Sequence, residues 1–204
     1  MKKFTFLVIL CLVSIFVSCN IEGVEGVEVE TSIFEKKGKV KNDNVVIVEG
    51  DNTTANDFDE HCKTVNLIAG QNHIAGTVTM DVEGDNLIIT YTTNSDWAID
   101  TTHLEITNCE EDGFPTTGSN NPKIGNFEYS STHEDAVTEV TYIINLNDVT
   151  DEFCFAAHAE VNGPSAETAW AEGEGFGGNS WAMYVEVDLK DCDEDDEGTP
   201  PTYG

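Results

Sequence analysis

Gly76-Thr77-Val78-Thr79-Met80-Asp81-Val82, then Glu83-Gly84-Asp85, then Asn86-Leu87-Ile88-Ile89-Thr90-Tyr91-Thr92: two runs rich in β-branched residues meet at a short joint built around a glycine. Val78, Met80 and Val82 recur at every second residue, the period of a strand with one buried face. A glycine between two such runs is a hairpin signal. Outward from this hairpin, β-branched and aromatic runs recur at residues 64–69, 97–100, 103–107, 139–146, 153–161, 168–171 and 181–189, separated by Gly, Asn, Asp and Pro, as successive strands are. Val140, Tyr142 and Ile144 repeat the two-residue period, and no segment sustains a period of 3.6. The chain is therefore expected to be all-β, an antiparallel β-sandwich of about seven to nine strands, with a barrel as the rival architecture.

The N-terminus is of another kind. Met1-Lys2-Lys3 is a short basic head, followed by an apolar run from Phe4 to Val17, which is shorter than the roughly 20 residues a membrane-spanning helix needs. It reads as an export signal rather than part of the fold. The run ends in Phe16-Val17-Ser18-Cys19, which resembles the lipobox of bacterial lipoproteins. That resemblance implies cleavage after Ser18 and lipid on Cys19. Glu22, Glu25, Glu28 and Glu30 follow closely. The expected location is the cell envelope, lipid-anchored, at an outer membrane facing the periplasm or the cell surface.

The composition excludes several partners. The chain of 204 residues carries 39 acidic residues against nine basic ones, a formal charge of −30, and every basic residue is a lysine. Removal of Lys2 and Lys3 with the signal leaves seven lysines and all 39 acids, or −32. Nucleic acid is excluded, because its binding rests on Lys and Arg neutralising phosphates, and so is headgroup binding by a basic patch. Membrane contact is expected through the lipid. Calcium of modest affinity is compatible with so many oxygen ligands: Asp191, Asp193 and Asp195 have the opening spacing of a calcium loop, but Asp196 and Thr202 stand where its Gly and Glu belong.

Four cysteines, Cys62, Cys109, Cys154 and Cys192, remain beyond the signal and Cys19. An even count in an exported chain points to two disulfides, with three connectivities open. Cys62 with Cys192 and Cys109 with Cys154 is the favoured set, because the first pair brackets the patterned region. The organisation expected is a signal over residues 1–18, an acidic tether over 19–58 containing the short apolar stretch Val45-Val46-Ile47-Val48, a stapled β domain over 59–192, and a disordered acidic tail over 193–204.

Ala69-Gly70-Gln71-Asn72, Tyr91-Thr92-Thr93, Asn121-Pro122-Lys123-Ile124-Gly125, Ala156-Ala157-His158-Ala159 and the stretch from Trp170 to Tyr184 resemble a secreted domain that recurs in bacterial lipoproteins and has no assigned activity. The resemblance spans roughly residues 67 to 188 and implies a disulfide-containing β module. It implies no reaction.

Motifs with chemical meaning are few. Gly173, Gly175 and Gly178 match G-x-G-x-x-G, but a strand follows where a nucleotide site needs a helix. Ser180 lacks the closing glycine of a nucleophile elbow. His103, His133 and His158 lie in or near strands that could bring them together on a metal with a nearby carboxylate, although they form no tight pair. Trp97 and Trp181 are assigned to the core, whereas Trp170, with Glu172 beside it, is the exposed exception that would mark a sugar platform. The function expected is a non-enzymatic binding or surface-interaction module without a cofactor, whose partner is a glycan or a protein. The alternatives are a carbohydrate-binding accessory lipoprotein and a metal-dependent enzyme.

Overall fold

In a computed structural model of the chain, the described residues are 45–50, 61–109, 113–134 and 137–192. The signal, Cys19, the rest of the tether and the acidic tail lie outside them. The strands are β1 (Val45–Gly50), β2 (Lys63–Ala69), β3 (His73–Glu83), β4 (Asn86–Thr93), β5 (Ala98–Thr107), β6 (Tyr129–Thr132), β7 (Glu139–Asn145), β8 (Glu152–Asn162), β9 (Ala166–Ala171), β10 (Glu174–Gly175) and β11 (Met183–Asp188). All pairings are antiparallel, and the helical elements among the described residues are short 3₁₀ turns.

The β3–β4 hairpin forms as its residues predict. Glu83 pairs with Asn86 and leaves a two-residue loop, with Gly84 at φ +58°. Glycine takes that left-handed conformation without steric penalty, and its place at the first loop position suits the right-handed twist of the strands. Val78, Met80, Leu87, Ile89 and Tyr91 all turn to one face and are buried.

A sandwich would divide the strands between two sheets. Here they form one continuous sheet in the order β1-β7-β4-β3-β2-β9-β8-β11-β10, with β5 on the other edge of β8 and β6 beyond it. The bridge is a three-residue pairing of Leu67, Ile68 and Ala69 with Ala171, Trp170 and Ala169, next to a register shift in β2 at Leu67/Ile68. Bulges sharpen the local bend and twist, and the sheet curls into a half-barrel. Its two ends meet across the core: the Tyr91 hydroxyl donates to the His103 carbonyl at 3.0 Å, and the Ile99 amide to the Val137 carbonyl at 2.8 Å.

Two of the runs read separately in the sequence, 97–100 and 103–107, are one strand. The register of β5 against β8 shifts between Ile99 and Thr101, so the buried positions step from Ile99 to Thr102 and Leu104. One extra residue breaks the period of two and hides the continuity. The stretch Val45 to Val48, read within the tether, lies in β1 and pairs along β7.

Strand β8 is buried on both sides. Phe153, Phe155, Ala157, Ala159 and Val161 enter the main core, while Cys154, Ala156 and His158 are buried on the opposite face. Each large apolar side chain buried this way contributes about 1.5–3 kcal/mol. Two disulfides close the unit. Cys62, just before β2, joins Cys192 in the turn after β11, and Cys109, just after β5, joins Cys154 of β8, with Cα separations of 4.8 and 5.1 Å.

Candidate functional site

The outer face of β5, β8 and β9 carries the singled-out side chains. His158 is in register with Trp170 on one side and His103 on the other. Its ring centroid lies 4.7 Å from Trp170 and 5.3 Å from His103. Trp170 was expected at the surface, but it is 6% exposed. The reason is that the long connection after β5 and the chain between β10 and β11 fold across it. Phe127, Ala156, Trp170 and Ala182 form a second buried cluster there. Phe114, Phe176 and Tyr184 pack beside it, only half-buried, with centroids 5.0 to 5.3 Å apart. Trp97 lies in the main core as expected, whereas Trp181 precedes β11 and is half-buried against the second cluster.

Phe114 and Phe127 are not legible as site residues in the sequence, and Phe176 is legible only as part of the stretch from Trp170 to Tyr184. They sit in loops without periodicity, and the only signal was an aromatic residue inside Gly- and Asn-rich chain. Glu172 is exposed. Its carboxylate accepts from the Asn66 side-chain amide at 2.7 Å and its own amide donates to the Asn66 carbonyl at 2.8 Å, which pins the end of β9 to β2.

The three histidines divide between the two faces. The Nδ1 atoms of His103 and His158 lie 3.3 Å apart. Burial first, and then the neighbouring His103, lower the pKa of His158 to about 3, so its imidazole is neutral near pH 7. Burial also lowers that of His103, against the charge of Glu160. His133 is on the opposite side because it bonds to Thr102, and successive residues of a strand face opposite ways. The three rings do not converge, and among the described residues no group of three or more His, Cys, Asp or Glu is arranged to hold a metal ion.

His133 belongs instead to a buried chain of hydrogen bonds. Tyr142 and Thr102 hydroxyl oxygens are 2.7 Å apart, Thr102 Oγ1 is 2.7 Å from His133 Nε2, and His133 Nδ1 is 2.8 Å from Glu49 Oε1. A consistent assignment has Tyr142 donating to Thr102, Thr102 to His133 and His133 to Glu49, so that each hydrogen is used. Hydroxyl, imidazole and carboxylate stand in the order of a nucleophilic triad, yet Thr102 is fully buried and its oxygen is held by Tyr142. The relay ties β1, β5 and β7 together. Ser131, opposite Thr102 in β6, buries its hydroxyl without a hydrogen-bond partner among the described residues.

Two concavities lie among the described residues. One, of about 170 Å³, is lined by His61, Asp81, Glu139 and four threonines of β3 and β4, with Asp81 accepting from His61 Nδ1 at 2.8 Å and from the Cys62 amide at 3.1 Å. It is smaller than the roughly 300–1,000 Å³ usual for ligand pockets. The other is an open groove of about 760 Å³ at one end of β8 and β11, lined by Asp151, Glu152, Glu186, Asp188 and Asp191 around Lys190. Its carboxylates have the sign of the whole chain. Of the calcium-like triplet only Asp191 is among the described residues.

The glycine-rich segment is a hairpin: Glu174 and Gly175 pair with Tyr184 and Met183, and a Cβ on Gly173 would come within 2.1 Å of the Tyr184 carbonyl. Ser180 is an exposed turn residue whose amide donates to Asn121 Oδ1 at 2.8 Å. No protein-family model, curated protein or solved structure matches this chain.

Proposed function

We propose that this chain is an exported lipoprotein, cleaved after Ser18 and held to an envelope membrane through lipid on Cys19, whose β domain is a non-enzymatic binding module. The observation that supports export is the pair of disulfides, Cys62–Cys192 and Cys109–Cys154. Such bonds persist in oxidising compartments outside the cytosol, in keeping with the basic head and apolar run at the N-terminus. Binding is favoured over catalysis because the side chains best suited to chemistry already have structural work: four cysteines are bridged, and His133 and Thr102 are joined in the relay.

The glycan reading has its own support. Phe114, Phe176 and Tyr184 form a half-buried aromatic trio, with the exposed Glu174 paired to Tyr184, and aromatic rings with polar neighbours suit the apolar faces of sugars. In this reading Trp170 backs the trio through Phe176, and the exposed Glu172, two residues along the chain from Trp170, is the proposed polar partner.

Intact mass of the protein taken from membranes of its host, before and after reduction, tests the main reading. An acylated N-terminal Cys19 and a gain of four hydrogens on reduction are expected. A chain retaining residues 1–18, or starting at an unmodified residue, overturns the anchor. Binding of the mature chain to a glycan array, abolished in Phe176→Ala, decides for the carbohydrate reading.

A further inference from the structure

We propose that His103, His158 and Glu160 form a binding site for one first-row divalent ion that favours imidazole ligands, zinc or copper, on the outer face of β5 and β8. The geometry begins with the two Nδ1 atoms at 3.3 Å. A tetrahedral ion with bonds to nitrogen of about 2.0–2.1 Å holds two such ligands about 3.3 Å apart. The two nitrogens share a hydrogen bond at this spacing, and an ion would take the place of the shared proton.

The two rings are presented by directly paired residues of adjacent strands, and a site built on strands is held more firmly than one on loops. Glu160 is two residues from His158 and therefore on the same face, it is exposed, and its charge acts on His103. As the side chains stand, the three groups do not close around one point. Glu160, exposed on the same face, would complete the set by a change of its side-chain rotamer.

Access from solvent also fits. His103 is half-buried and gives the ion a path from solvent, while Trp170 at 4.7 Å walls the rear of His158. Zinc and copper are the ions expected because imidazole suits them, whereas calcium and magnesium take oxygen ligands. The site differs from a three-histidine centre, since His133 is on the other side of the sheet.

The test is a zinc titration of the mature chain with both disulfides intact, in excess calcium to occupy sites made of carboxylates alone. One equivalent of zinc is expected to bind, and copper(II) to compete for the same site and quench tryptophan fluorescence through Trp170. His103→Ala and Glu160→Gln are each expected to weaken zinc roughly tenfold or more, while leaving the metal-free melting temperature close to that of the parent. Zinc should raise the melting temperature of the parent but not of His103→Ala. Absence of saturable zinc binding in calcium overturns the proposal, and so does a His103→Ala variant that binds as the parent does.

Discussion

On the inner face of the sheet His133 lies between Thr102 and Glu49, its two nitrogens each within 2.8 Å of an oxygen. On the outer face His158 lies between Trp170 and His103, and its polar contact is another imidazole. Both are buried histidines attached to the same strand pair, one through its partner Thr102 and the other directly. The inner one is accommodated by hydrogen bonds that satisfy it, and the outer one by remaining neutral among rings. Burial of a polar group thus leaves two outcomes, a satisfied network or a shifted protonation equilibrium. The first makes a structural tie and the second leaves a lone pair available.

Opening the staples one at a time asks whether the two faces unfold together, and should have the largest effect. Cys62–Cys192 spans 130 residues and packs on the inner core, while Cys109–Cys154 spans 45 and anchors the connection that covers the outer face. In the chain-entropy model their loss lowers stability by about 5 and about 4 kcal/mol. Urea midpoints of Cys62→Ser/Cys192→Ser and Cys109→Ser/Cys154→Ser are the measurement. Coincident fluorescence and circular-dichroism transitions in both would show one cooperative unit.

Trp170→Ala should follow, at about 3–5 kcal/mol, the range for emptying a buried aromatic site. The loss should appear with the inner relay intact, so the near-ultraviolet signal of Tyr142 and Tyr91 should survive at low denaturant. A change below about 1 kcal/mol would mean that the outer cluster is not a core.

Acid separates the histidines next. A histidine whose folded pKa lies below its ordinary value is protonated more readily in the unfolded chain. The stability it contributes is full above 6.5 and is lost as the pH falls from there towards about 3. His158→Phe should therefore flatten the fall in the urea midpoint between neutral pH and about pH 5. An unchanged slope would deny that His158 is buried neutral.

Thr102→Val tests the inner side with the smallest change. The substitution keeps the shape and removes the hydroxyl between Tyr142 and His133, and should cost about 1–3 kcal/mol by leaving buried polar atoms unpaired. Burial holds the Tyr142 phenol well above its ordinary range. The urea midpoint of Thr102→Val against the parent reads the loss.

Strand positions were legible because a side chain's face follows from residue parity. Val78, Met80, Val140 and Tyr142 show it, and all four are in the main core. The hairpin at Gly84 was legible for the same local reason, as its φ of +58° is a demand on one residue. Asp100 shows where the signal fails, since a single bulge residue made one strand look like two. Trp170 shows a second limit. Its exposure depended on Phe127 and Phe176, 43 residues before it and six after it, in segments with no period to read.

Local sequence therefore settled the strand class, the turn chemistry and the supply of cysteines, because each is set by backbone sterics and side-chain type within a few residues. Only the tertiary structure decided that β2 meets β9, so that the strands make one curled sheet. It also decided that His103 faces His158 while His133 faces Glu49. Parity assigns a side chain to a face, but the choice of neighbouring strand is made by the packing of the whole core, and that choice brought these groups within bonding distance.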